Sequence, residues 1–170
     1  MMESSLGIAV FTENKTTYED AMGKFAGRVP AYIYLTSDGS YPVPGRGVAD
    51  TPAALIKYWQ GQKYFNISGI TRETCRDYAH TSYGISSISH IAETSRIQGE
   101  DLWLTDLGVR MKAALELHAS FETGQESIPT FICGGHIGRS MDPGKLKRHS
   151  REKKRMFTDR YRDCSSGAFL

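Results

Sequence analysis

The stretch Cys75 to Gly84, CRDYAHTSYG, gathers an arginine, an aspartate, two tyrosines, a histidine, a threonine and a serine directly ahead of the apolar-periodic run ISSISHIAET. Arginine is a permanent cation whose planar fork matches a carboxylate, histidine titrates near neutral pH, and tyrosine offers a phenolic proton that a nearby cation makes easier to remove. Together these groups suit an anionic substrate from which a proton is taken. A uronic-acid polysaccharide is such a substrate. Neutralising its C5 carboxylate acidifies the C5 proton, a base removes that proton, and an acid protonates the departing O4 oxygen. The outcome is β-elimination.

The element that must position these groups is a helix expected from about Thr71 to about Gln98, with Gly99 as its stop. At 100° per residue from Arg72, the residues Arg76, His80, Tyr83 and Ser87 fall at about 40°, 80°, 20° and 60°, one polar stripe. Ile85, Ile88, Ile91 and Ala92 fall on the far side and form the face expected to pack. A second helix is expected from about Thr105 to about Thr123, with Val109, Ala113, Leu117 and Phe121 at i+4 spacing. Upstream, MMESSLGIAVF reads as the end of an apolar helix without a cap, and TTYEDAMGKFAGRV as a short amphipathic one. Pro30 to Arg46 reads as a long ordered loop or short strand pair turning at Asp38-Gly39. A helix after it is capped by Asp50 or Thr51, carries Pro52 in its first turn and closes at Gly61. The fold class expected is all-α, built from helical hairpins.

Composition agrees with a globular domain: among 170 residues, 39% are apolar and 24% charged. No apolar run is long enough for a membrane span, and the N-terminus lacks the basic region and cleavage site of a signal peptide. The net charge of +2 divides unevenly, residues 136–170 carrying +6 and residues 1–135 carrying −4. Residues 136–170, with the block KLKRHSREKKR, are expected to be disordered or weakly helical. Cys75, Cys133 and Cys164, odd in number and widely spaced, are expected to form neither a disulfide framework nor a metal pair. Asn14 and Asn66 begin two N-glycosylation sequons.

The run Gly69 to Trp103 resembles a segment of the alginate lyase domain family, through Arg76-Asp77, His80-Thr81, Ala92-Glu93, Gln98-Gly99, Asp101-Leu102 and Trp103 taken in order. RVPAYIYLTSDGSYPVP, Arg28 to Pro44, is similar to that family's segment ending in SDG. The resemblance covers roughly residues 1–135. It implies part of an (α/α) toroid or incomplete barrel, a secreted or periplasmic setting, and lyase activity on an anionic, uronate-containing polysaccharide, with no cofactor and no required metal. Lyases of this fold place an arginine and a tyrosine seven residues apart on an inner helix, the spacing of Arg76 and Tyr83, with the tyrosine as proton donor. Arg76 is then expected to hold the uronate carboxylate, Tyr83 to donate or relay the proton, and His80 to act as base or orienter. Arg72 is a further candidate for substrate binding. An Asn-His element on an earlier helix, which such lyases also use, has no counterpart before Arg76. With the uncapped first helix, this suggests a fragment of a longer domain, and the basic tail is unlike the family.

Other chemistries fit less well. His80, His90 and Glu93 do not have the spacing of helical metal ligands. Ser86, Ser87 and Ser89 lack the elbow and the third member of a hydrolase triad. The tail's basic block has no accompanying nucleic-acid recognition motif, so neither nucleic acid nor membrane is expected as a partner. Of Tyr32, Tyr34, Tyr41, Tyr58 and Trp59, most are expected to be core, with Tyr34 and Trp59 as candidates to touch a glycan. The second reading is a noncatalytic carbohydrate-binding remnant, since half an active site can still hold a sugar.

Overall fold

The computed structural model describes residues 2–138, and the tail expected to lack order therefore lies, from Arg139 onward, outside the described residues. Five α-helices carry the fold as an all-α arrangement, with no strand among the described residues: α1 (Met2–Phe11), α2 (Lys15–Arg28), α3 (Pro52–Tyr58), α4 (Tyr78–Ile97) and α5 (Asp106–Glu122). Helices α1 and α2 form the expected hairpin. Asn14 ends the turn between them and caps α2, its side chain accepting from the Thr17 amide at 3.0 Å. Thr51 caps α3 in the same way, ahead of Pro52.

The first core cluster joins Leu6 of α1, Ala21 and Phe25 of α2, Ile85, Ile88, Ile91 and Ala92 of α4, and Met111 and Ala114 of α5. The isoleucine face of α4 is thus buried as its periodicity predicts. On α5 the buried residues are Gly108, Arg110, Met111, Ala114, Leu117, His118 and Phe121, whereas Val109 is 55% exposed. The i+4 ladder drifts about 40° per step around a helix, so Val109 stands off the core face that Leu117 and Phe121 reach. A second cluster packs Tyr34, Trp59, Phe65, Ile70, Leu117, Phe121, Ile132 and Ile137. The core therefore takes in Ile137, beyond the boundary expected at residue 135.

The largest departure is the start of α4. Residues 71–77 form a tight turn, held by side-chain and long-range partners in place of a continuous helical ladder. Thr71 pairs with Ile33 in an isolated antiparallel bridge, flanked by the bonds Tyr34 N to Ile70 O (2.9 Å) and Arg72 N to Tyr32 O (2.8 Å). Pro30 to Arg46 is therefore a loop and pairs no strand with itself, since Ile33 bridges to Thr71 outside that segment. The Thr71 amide donates to Thr74 Oγ1 at 2.8 Å, and Thr74 Oγ1 lies 2.9 Å from Nε2 of buried His118. Nδ1 of His118 lies 2.8 Å from the Ala114 carbonyl, which only accepts, so Nδ1 carries the proton and Nε2 accepts from Thr74. Asp77, fully extended, then caps α4.

A disulfide braces this turn. Cys75 and Cys133 form a disulfide, contrary to the expectation from their number and spacing; their Cα atoms, 58 residues apart in sequence, lie 5.1 Å apart in space. Beside it, buried Gln62 accepts from the Cys133 amide at 3.0 Å and donates to the Phe131 carbonyl at 3.0 Å. The Asp38-Gly39 turn is held by Arg110, which reaches Asp38 at 2.5 and 2.7 Å and the Ile33 carbonyl at 2.9 Å.

Candidate functional site

At the start of α4 the Asp77 carboxylate serves backbone and side chain together. Its Oδ1 accepts from the His80 amide at 2.8 Å, and both of its oxygens lie 2.8 Å from His80 Nδ1. Burial would raise the Asp77 pKa, but the bonds from the His80 amide and ring and the charges of His80 and Arg76 outweigh it and hold the carboxyl below its ordinary value. The Tyr83 ring stands nearly perpendicular to that of His80 with centroids 6.4 Å apart, and Tyr83 is 63% exposed.

The expected five-residue stripe is broken by the helix start. Only His80, Tyr83 and Ser87 belong to α4, while Arg72 and Arg76 sit on the preceding turn. Both arginines converge on Glu73, a buried carboxylate, Arg72 at 2.9 Å and Arg76 at 3.4 Å. Arg72 is further held by the Tyr58 carbonyl at 3.2 Å, and its guanidinium stacks 4.4 Å from the centre of the Tyr58 ring. Arg76 keeps about half of its side chain open, at 49% exposure, and is the better placed of the two to meet a ligand.

Alongside α4 runs a cleft of about 680 Å³, within the size range of small-ligand sites. Its floor includes Val29, Ala31, Ile88 and Ile91, and its polar lining comes from Tyr32, Tyr58, Ser87 and three cations, Lys24, Arg28 and Arg46. Lys24 is paired with Asp20. His80, Gly84, Ser87 and Ile91 succeed one another at spacings of four, three and four residues, so the strip of α4 that carries His80 continues into the cleft wall. A Cβ at Gly84 would fall 1.8 Å from the Tyr32 hydroxyl, so a larger residue there must displace the Tyr32 ring. Burial, then the charge of Glu73, pushes the Tyr32 phenol up to about 12.

No family model matches the chain, and no curated protein or solved structure is significantly similar to it.

Two expected glycan contacts are corrected by burial. Tyr34 is 1% exposed, with its hydroxyl 2.7 Å from the Gly39 carbonyl and 2.6 Å from that of Phe65, and Trp59 is 0% exposed. Both rings pack around Phe65 and show no face to a ligand. Arg72, Arg76, His80 and Tyr83 do lie on one continuous piece of surface structure, the turn and the first helical turns after it. His90 turns elsewhere and meets Glu3 at 2.7 Å. Among the described residues, no group of three or more His, Cys, Asp or Glu side chains could hold a metal ion, and no helix is long and apolar enough to cross a membrane.

By spacing alone Asp77 falls off the polar stripe and reads as structural, although an aspartate three residues before a histidine at a helix start is a legible cap signal. Arg28, Arg46 and Tyr58 carried no such signal, because they reach the cleft from separate elements.

Proposed function

We propose that this chain carries one wall of a polysaccharide lyase site that acts on uronic-acid-containing polysaccharide by β-elimination, its helices being part of an (α/α) toroid. The observation that carries the reading is the grouping of a carboxylate-paired His80, the open phenol of Tyr83 and the half-exposed guanidinium of Arg76 around the start of one helix. In this reading Arg76 pairs with the C5 carboxylate, which lowers the cost of charge at C5. His80 takes the C5 proton, the electrons of that C–H bond form the C4=C5 double bond, and the C4–O4 bond breaks. Tyr83 gives its proton to O4, and proton return from His80 through solvent restores the pair. The cleft cations Arg28 and Arg46 extend the positive lining to neighbouring uronates. The disulfide fits an oxidising compartment, in line with a secreted or periplasmic protein.

Incubation with alginate or polyglucuronate is expected to raise ultraviolet absorbance as unsaturated ends form. Tyr83→Phe and His80→Ala are each expected to lower that rate by roughly 10²-fold or more; an unchanged rate in both would refute the assignment.

A second reading, noncatalytic carbohydrate binding, is favoured by the 63% exposure of Tyr83, because proton transfer is helped by a second wall that excludes water. Retained glycan binding with no absorbance change selects this reading.

A further inference from the structure

We infer that Asp77 is a positioning residue for His80, holding the imidazole as the tautomer protonated on Nδ1 and leaving Nε2 as the open acceptor. The inference rests on the lyase reading only for what Nε2 then does, namely take the substrate proton. The tautomer follows from the local geometry. Both Asp77 oxygens lie 2.8 Å from Nδ1, and the carboxyl, held below its ordinary pKa, is ionised near neutral pH and only accepts. Nδ1 must therefore donate, which is the reverse of the tautomer a free imidazole prefers. The same Oδ1 accepts the His80 backbone amide at 2.8 Å, so the carboxylate is fixed to the backbone of the residue whose ring it orients. With the ring pinned on that side and the His80 side chain 37% exposed, the other nitrogen is left as the open one, beside a Tyr83 ring whose centroid lies 6.4 Å away. The charged or titratable neighbours that share this arrangement are Arg76, which acts on Asp77, and Tyr83, whose ring faces His80.

Because Asp77 also caps α4, its two roles must be separated, and Asp77→Asn does so. Asparagine caps a helix about as well as aspartate, but its amide is neutral and presents a donor as well as an acceptor. The full-length protein and this variant are compared by nitrogen-15 NMR of the His80 ring at a pH where it is neutral, by thermal melting, and by lyase turnover. The wild type is expected to show the proton on Nδ1. Asp77→Asn is expected to shift population toward the proton on Nε2 with the melting temperature nearly unchanged, and to lower kcat at least about tenfold with little change in KM. Asp77→Ala is expected to alter the tautomer and also to lower the melting temperature, having lost the cap.

A wild-type ring protonated on Nε2, or a tautomer unmoved by Asp77→Asn, overturns the inference. If the wild type lacks turnover on uronate polymers but its His80 proton sits on Nδ1 and moves in Asp77→Asn, the lyase reading fails while the positioning role stands.

Discussion

His118 and Gly69 show how much of this fold rests on single groups with no ready substitute. His118 is buried with its Nδ1 proton on a carbonyl and its Nε2 on Thr74, and burial lowers its pKa from the ordinary 6.5. A depressed histidine means that the unfolded chain binds the extra proton. Its contribution is therefore complete above about 6.5 and is lost as pH falls below that toward the folded value. Urea melts of wild type and His118→Asn are expected to show that the wild type alone loses this component of stability between about pH 7.5 and 5. Gly69 has a φ of +96°, and a Cβ would sit 2.2 Å from the Ala113 carbonyl oxygen, a backbone atom that cannot swing away. Gly69→Ala is expected to cost at least about 2–3 kcal/mol in chemical denaturation, from backbone strain and from the shift forced on α5. Asp38 and Arg110 are a buried pair, with side chains 5% and 7% exposed. Breaking it from one side, as in Arg110→Met, is expected to cost about 3–5 kcal/mol, and the double variant Arg110→Met/Asp38→Leu less than the sum of the single changes.

At the scale of elements, α4 explains why the site was partly legible. Its apolar periodicity placed Ile85, Ile88 and Ile91 in the core, and the same helix brings His80 and Tyr83 together on its other side. Its start was misread because helical spacing was extended through Arg72 and Arg76, where side-chain and long-range bonds take the backbone elsewhere. The turn they occupy is joined to residues 131–138 by the Cys75–Cys133 disulfide and by the bond from the Tyr78 amide to the Gly138 carbonyl at 2.9 Å. Closing a loop with a 58-residue separation is worth about 4 kcal/mol in the chain-entropy account. Reduction, or Cys75→Ala with Cys133→Ala, is expected to lower unfolding free energy by about 2–4 kcal/mol and to loosen Arg76 relative to His80. Peptide mapping without reduction is expected to recover a cross-linked Cys75–Cys133 peptide, and its absence would remove this brace.

For the whole molecule, the cleft joins α2, the turn after it, the loop at Gly45-Arg46, Tyr58 and α4. Its cations stand at chain positions with no common periodicity, yet they line one cavity. If they serve a polyuronate, Arg28→Ala with Arg46→Ala is expected to weaken binding of alginate oligomers roughly tenfold at low salt and much less at high salt, as measured by calorimetry, since exposed charge attraction is screened. By itself the sequence determined the all-α class, the cap at Thr51, the buried face of α4 and the neighbourhood of His80 and Tyr83, whereas α3 stops at Tyr58, ahead of the expected Gly61. These depend on bonds and contacts among residues close in the chain, whose geometry a helix dictates. Only the tertiary structure decided that Tyr34 and Trp59 are core, that Cys75 meets Cys133, and that Arg28, Arg46 and Tyr58 share a cleft with Ser87. Each of those depends on how distant segments pack, and local periodicity carries no information about which distant side chain will fill a given space.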